Sequence, residues 1–287
     1  MTLEKLLNPD GYGPEEYFII SLIIFIVFVM MKHLIFHTLY YWWYREGRLY
    51  LPMKFHNFLT GKSLPQRLFE FVKLESEKQK SVEAILENIE NYCENKEFAL
   101  TLGKHKGDIL EQIVSERKPQ KVLVCGSLCG YSIFRILRSS SPSTHIYVIE
   151  TNVENCSYTK RFFSLNGTDN QVTVISASPE EAIPNLKKDY GIEKLDFVFL
   201  SSSSLGEPTH HKVLQKLEES DLFYQNKKGV ESPHTVILAD KVVHFGEAEF
   251  LKHVRLSEQY ETKYHQMPLE YSPKDIVDGM EKAVFVG

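Results

Sequence analysis

Residues 121–132, K-V-L-V-C-G-S-L-C-G-Y-S, constrain what this chain can fold into more than any other stretch. Val122, Leu123 and Val124 make a short apolar strand suited to a sheet covered on both faces. Gly126 and Gly130 then let the backbone turn sharply and approach a bound molecule, and Ser132 stands where a helix opens with unpaired N–H groups. Taken alone, these residues fit either a ligand cradle or an ordinary strand-turn-helix corner of an α/β domain.

A second apolar strand at 145–149 runs into Glu150, where doubly wound sheets place a carboxylate that accepts hydrogen bonds from ribose hydroxyls. A solvated strand-end charge is the alternative for Glu150. Further strands at 172–175, 195–200 and 235–239 alternate with helical patterns, and 283–286 supplies a last one. That alternation predicts an α/β fold, a mostly parallel sheet with helices on both faces, whose ligands lie beyond the carboxyl ends of the strands. Gly126, Glu150, Ser201 and Asp240 all stand there. The domain is expected to open with a helix after the N-cap Ser81, with Val82, Ile85, Leu86, Ile89 and Cys93 facing the core and Glu87 and Glu90 facing water.

Segments 94–107 (E-N-K-E-F-A-L-T-L-G-K-H-K-G), 125–132 (C-G-S-L-C-G-Y-S), 183–190 (I-P-N-L-K-K-D-Y), 195–200 (L-D-F-V-F-L), 238–240 (L-A-D) and 277–283 (V-D-G-M-E-K-A) occur in an order that resembles the catechol O-methyltransferase family. The resemblance covers 81–287 and is to a membrane-anchored, divergent member related to the transmembrane O-methyltransferases. It implies a Rossmann-like class I methyltransferase fold that uses S-adenosylmethionine. By the same resemblance Gly126, Gly130, Tyr131 and Ser132 hold the methionine portion of the cofactor and Glu150 its ribose, with Leu100, Leu102, Ser178 and Ser201 as further cofactor residues. Phe98 and Phe245 correspond to the walls of the acceptor pocket. Glu270 matches a glutamate that accepts a hydrogen bond from an acceptor hydroxyl, or is a surface carboxylate beside a Pro-rich turn.

Departures from the family pattern cluster at its metal site. Catalytically active relatives carry an Mg²⁺-binding aspartate after the fourth strand, then a tryptophan and a lysine base; here the run is Ser201, Ser202, Ser203 and Ser204. Asp240 keeps a metal-binding aspartate, but the asparagine expected next is Lys241, and an acidic residue on the first strand is Val124. Serine hydroxyls are weak substitutes for the oxygen cage that a hard cation requires, so Asp240 is expected to be vestigial, with no Mg²⁺. Lys241 is then either a tethered cation that stabilises an acceptor oxyanion in place of the metal, or a snorkelling strand-end lysine. A phenolic hydroxyl near pKa 10 costs roughly 4 kcal/mol to ionise at neutral pH, which is what such a cation has to offset. Lys241 and Glu270 are the catalytic candidates.

The front of the chain is different in kind. Residues 17–31 carry no charge, and past Lys32 the apolar character continues to Tyr44, long enough to cross a bilayer. The division expected is a non-cytosolic tail 1–16, an anchor 17–40, a connector 41–80 with a helical part near 68–80, and the domain 81–287. Tyr40, Tyr41, Trp42, Trp43 and Tyr44 form an interfacial aromatic belt. Acidic Glu4, Asp10, Glu15 and Glu16 precede the span and basic Lys32, Arg45, Arg48, Lys54 and Lys62 follow it, so positive-inside logic puts the domain in the cytosol, on the endoplasmic reticulum or the plasma membrane. The net charge of −5 without a Lys/Arg stripe argues against nucleic acid. Four cysteines, none in a C-x-x-C or Cys/His pattern, indicate neither zinc nor a disulfide framework. Two function classes fit: an O-methyltransferase of small aromatic acceptors with altered catalysis, or a non-catalytic methyltransferase fold that binds cofactor or a membrane-protein partner.

Overall fold

The computed structural model describes residues 13–43, 47–77, 79–201, 209–225, 234–244, 246–272 and 276–287. The tail residues 1–12, Tyr44, Ser202 to Ser204 and Phe245 lie outside the described residues. The chain divides into two compact units, Met1–Lys54 and Phe55–Gly287.

The first unit holds α1, Pro14–Trp42, with Pro14 at its first turn and Glu15 and Glu16 beside the positive end of the helix dipole. Glu16 accepts a hydrogen bond from the N–H of Gly13 at 3.1 Å, closing the helix start. Its 29 residues, at about 1.5 Å each, exceed the roughly 30 Å of a bilayer's hydrocarbon core. The apolar side chains of its span are solvent-facing in the isolated chain, as a lipid-facing helix requires. A second helix, α2, Arg48–Thr60, runs through the boundary between the units. The stretch expected to connect anchor and domain is therefore mostly helical. It holds α2 and α3, Leu64–Glu75, where Ser63 caps through the N–H of Gln66 and Pro65 sits in the first turn. The helical part expected at 68–80 begins and ends earlier because those N-terminal signals lie at 63–65.

In the second unit α4, Val82–Asn95, is capped by Ser81 through the N–H of Ala84 at 3.2 Å and buries Ile85, Leu86, Ile89 and Cys93. Glu87 is exposed, but Glu90 is half-buried and accepts from the Tyr131 hydroxyl at 2.6 Å, so it does not simply face water. After α5, Lys104–Arg117, come β1 (Lys121–Cys125), α6 (Tyr131–Ser139), β2 (His145–Glu150), α7 (Val153–Asn166) and β3 (Val172–Ser176). Two short helices, α8 (Pro179–Ala182) and α9 (Leu186–Tyr190), lead to β4 (Phe197–Leu200), followed by α10 (His210–Glu219), β5 (Val236–Asp240), α11 (Ala248–Leu256), β6 (Tyr260–Pro268) and β7 (Val277–Phe285). The seven strands run in the order β3-β2-β1-β4-β5-β7-β6. β1 to β5 are mutually parallel and β7 is antiparallel to both β5 and β6. Strand order reverses at β1 and β4, the switch point where open α/β sheets bind ligands.

Most expected strands shift by one or two residues. Leu195 makes only an isolated bridge to Phe223, so β4 begins at Phe197. Glu150 and Asp240 are the last residues of their strands rather than the first beyond them. β7 starts six residues before the expected 283. Its partner β6 carries no sequence expectation, because an edge strand that is mostly exposed lacks the alternating apolar pattern that marks a half-buried one.

Candidate active site

Beyond the carboxyl ends of β1, β2 and β4 lies a cleft of about 640 Å³, counting its open mouth. Gly126, Glu150, Thr151, Glu180, Ser201 and His210 are among its lining residues. Gly126 (φ +88°) and Gly130 (φ +82°) both hold left-handed backbone that favours glycine, and a Cβ on Gly130 would press on Phe163 at 3.1 Å. Glu150 is buried, and its carboxylate is fixed from three sides. Oε2 accepts from the N–H of Ser127 at 2.9 Å and from its hydroxyl at 3.0 Å, while Oε1 accepts from the N–H of Asn152 at 3.0 Å. A carboxylate offers about four acceptor positions. One remains, on an oxygen already oriented, which suits a single ribose hydroxyl of a nucleoside more than the two-hydroxyl grip of an unencumbered carboxylate.

The other sequence-named cofactor residues surround this loop unevenly. Tyr131 and Ser132 open α6 and are buried. The Tyr131 hydroxyl is committed to Glu90 and receives the Nε–H of Arg135 at 3.1 Å, and burial pushes it well above the ordinary tyrosine range. Tyr131 therefore acts as a neutral strut. Leu100 and Leu102 are buried in the segment before α5, and Ser178 caps α8 by accepting from the N–H of Glu181. Val124 is wholly buried in β1. Phe98 is half-buried.

A second cluster lies at the end of β5. Register pairs Leu200 with Ala239, which sets Ser201 level with Asp240. Asp240 is wholly buried, and each of its oxygens is engaged by an ammonium: Oδ1 accepts from Lys106 Nζ at 2.8 Å and Oδ2 from Lys241 Nζ at 2.5 Å. Lys106 Nζ also bonds Asp278 Oδ2. The remaining Asp278 oxygen accepts from the N–H groups of Val243 (3.3 Å) and His244 (3.1 Å). His210 Nε2 meets the Asp240 carbonyl at 2.8 Å. Burial alone would push the Asp240 carboxyl up, but Lys106 and Lys241 outweigh it and hold it below the usual carboxylate range. Burial pulls the Lys106 ammonium down, but Asp240 and Asp278 outweigh that in turn and raise it. Two carboxylates and two ammoniums thus sum to zero charge in a buried set. Lys241 sits at φ +59°, a conformation rare outside glycine, and its bond to Asp240 helps to fix it.

This donor set does not suit Mg²⁺. An added dication would meet two ammoniums as well as two carboxylates. At an effective dielectric of 20 and 4 Å each ammonium repels it by on the order of 8 kcal/mol, about what each carboxylate returns. The cost of dehydrating the ion is then left without compensation.

Glu270 is joined to the same cluster through the backbone. Its Oε1 accepts from the N–H of His105 at 2.6 Å and of Lys106 at 3.2 Å, capping α5. Its Oε2 lies over Gly103, where a Cβ would stand 1.8 Å away, so only glycine fits there. Lys106 is therefore the hinge of the site: its N–H holds Glu270 and its ammonium holds Asp240 and Asp278. Neither Lys106 nor Asp278 carries a sequence expectation, although both lie inside the segments K-H-K-G and V-D-G-M-E. In each segment the residue is a charged one directly before a glycine, Lys106 before Gly107 and Asp278 before Gly279.

Residues 75–226 match the family model described as "O-methyltransferase". The chain belongs to the O-methyltransferase family. It is 31% identical to catechol O-methyltransferase of Mus musculus over 268 residues, 93% of this chain and 94% of that protein. With a transmembrane O-methyltransferase homolog of Mus musculus it shares 28% over 243 residues, 84% of this chain and 88% of the relative. Among solved structures, an O-methyltransferase from Streptomyces achromogenes in complex with S-adenosylmethionine superposes with a TM-score of 0.57 at 17% identity, covering 79% of this chain and all of that one. The fold is that of the Rossmann-like S-adenosylmethionine methyltransferases.

Proposed function

We propose that this family member is a membrane-anchored, S-adenosylmethionine-dependent O-methyltransferase of catechols or related small aromatic hydroxyls, working without a divalent ion. The supporting observation is the neutral Lys106–Asp240–Lys241–Asp278 set at the strand ends beside a cleft whose Glu150 has one oriented acceptor position left. The cofactor, when bound, supplies an electrophilic methyl group. Glu150 holds it by a ribose hydroxyl, and Gly126 and Gly130 let the backbone approach. With the proton of the acceptor hydroxyl released to solvent, Lys241 would stand by the resulting oxyanion as a fixed cation, and Glu270 would accept from a neighbouring hydroxyl through Oε2. Juxtaposing two reactants is worth about 7 to 11 kcal/mol, and that is the larger share of what such a site offers. An ammonium replaces only part of what a metal contributes, so turnover is expected to be slow.

A second reading, a non-catalytic fold that binds cofactor or a membrane-protein partner, is favoured by the engagement of both Asp240 oxygens and of Glu270 Oε1 within the protein. In either case positive-inside logic places the larger unit in the cytosol, and no nucleic acid is expected. Calorimetry of the full chain in detergent with S-adenosylmethionine, followed by transfer to a catechol, separates the two. Binding that weakens about 10-fold or more in Glu150→Gln, the loss of a hydrogen bond to a charged group, together with methylated product supports the enzyme. Binding without product favours the second reading, and no binding refutes both cofactor assignments.

A further inference from the structure

Helix α2, which follows α1, has a buried face and, opposite it, an exposed apolar one. One face, with Leu49, Tyr50, Met53, His56 and Asn57, is buried or half-buried. The other carries Leu51 (42% exposed), Phe55 (62%), Phe58 (83%) and Leu59 (65%). These four recur at the i, i+4, i+7 and i+8 spacing that makes one continuous stripe, with Lys54 exposed at its flank. A stripe with two phenylalanines turned outward is unlike the scattered apolar residues of an ordinary surface.

His56 on the inner face, within the larger unit, is held by charge. Glu97 takes Arg67 in a bidentate pair, Nη2 to Oε1 at 2.7 Å and to Oε2 at 2.9 Å, and also accepts from the Tyr92 hydroxyl at 3.0 Å. His56 of α2 bonds the same carboxylate. Helix geometry then turns Phe55, Phe58 and Leu59 to the side opposite the face that carries His56. What lies near them is bounded by the chain. α1 ends at Trp42 and α2 begins at Arg48, six residues on, a reach of at most about 20 Å fully extended.

We propose that the outer face of α2 lies in the headgroup-acyl boundary of the bilayer that α1 spans, as a second, in-plane membrane contact of the methyltransferase unit. The occupant of the stripe is lipid. Phenylalanine and leucine sink below the headgroups and Lys54 extends back to them, the arrangement of an interfacial helix. The contact is apolar, so it holds on neutral as well as anionic vesicles. It rests on the reading of α1 as a spanning helix.

The test uses the full chain in phosphatidylcholine vesicles containing a lipid with a nitroxide near its headgroup, or a lipid with one deep in its acyl chain. The four native cysteines are buried, so an introduced cysteine takes an environment-sensitive fluorophore selectively. Three positions are compared: Phe58→Cys on the stripe, Glu87→Cys on an exposed face of α4, and Val27→Cys within the span. The inference expects the position-58 label to be quenched by the shallow nitroxide several-fold more than the position-87 label, with deep quenching confined to position 27. It is overturned if position 58 behaves like position 87 while position 27 is quenched. It is overturned equally if label-to-label self-quenching shows that a second copy of the chain covers the stripe. Failure of deep quenching at position 27 refutes the spanning helix and removes the inference with it.

Discussion

Replacing Lys106 by methionine isolates the electrostatic core of this site. The substitution keeps an unbranched side chain of similar length in a wholly buried position and deletes the ammonium that bonds both Asp240 and Asp278. Lys241 still faces Asp240, but among the described residues the Asp278 carboxylate keeps the N–H groups of Val243 and His244 alone. Each lost contact is worth about 4 kcal/mol at an effective dielectric of 20. Part of that returns because one ammonium no longer has to be desolvated. Breaking a buried pair on one side costs about 3 to 5 kcal/mol net. For a unit of this size that is a fall in Tm of roughly 6 to 20 °C. Lys106→Met/Asp278→Asn removes one charge of each sign and keeps an oxygen for the Val243 and His244 N–H groups. It should recover at least about 2 kcal/mol of the loss, a coupling measurable by a double-mutant cycle. Urea unfolding followed by circular dichroism suits the measurement, since both tryptophans, Trp42 and Trp43, lie at the end of α1 and report little on the larger unit. A single variant within about 1 kcal/mol of wild type, or a double variant no better than the sum of its parts, would refute the claim that these four side chains form one balanced set.

Three further expectations follow from the same geometry. Ser201→Asp/Lys241→Asn restores the acidic and amide oxygens of the family pattern beside Asp240, so Mg²⁺ should raise its unfolding free energy by about 2.7 kcal/mol at a hundred times Kd; no Mg²⁺ effect on its unfolding would show that the two positions do not control ion binding. Gly103→Ala places a Cβ against Glu270 Oε2 at a backbone angle of φ +79°, ψ 171° that is nearly confined to glycine. It should cost about 1 to 3 kcal/mol in thermal unfolding and raise the acceptor KM more than it lowers kcat. Burial pushes the thiols of Cys93 and Cys125 up to about 12, so at pH 8 only about one in 10⁴ is thiolate. A thiol reagent such as dithionitrobenzoate should then find no fast-reacting cysteine until the chain is unfolded, and one rapid equivalent in the native protein would contradict the burial.

The parts of the fold legible from the sequence were those with strong local physics. The apolar run of β1, its two glycines and the helix after them form a strand-turn-helix signal that depends on few distant partners. Ser81 announced α4 by capping chemistry, and the charge-free run announced α1 by length. What escaped depended on tertiary context. β6 is stabilised by pairing with β7 rather than by its own pattern. α2 conceals its pattern because polar His56 and Asn57 lie on its buried face while Phe55, Phe58 and Leu59 lie on its exposed one, and Pro52 within it reads as a break. At the site, the sequence placed the adjacent Asp240 and Lys241 in one segment and Glu270 in another without the residue that joins them. Lys106 lies more than a hundred residues from Asp240 and Asp278, and a lysine in K-H-K reads as solvated until the sheet brings two carboxylates to it.

The account stands on Lys241 acting as the cation where a metal would sit. It is tested most directly by the rate of methyl transfer from S-adenosylmethionine to a catechol by the full chain, with excess chelator or with Mg²⁺, in wild type and in Lys241→Ala. The account predicts a slow rate unchanged by either addition in wild type and abolished in the variant. A rate that Mg²⁺ stimulates in wild type, or that survives intact in Lys241→Ala, would contradict it.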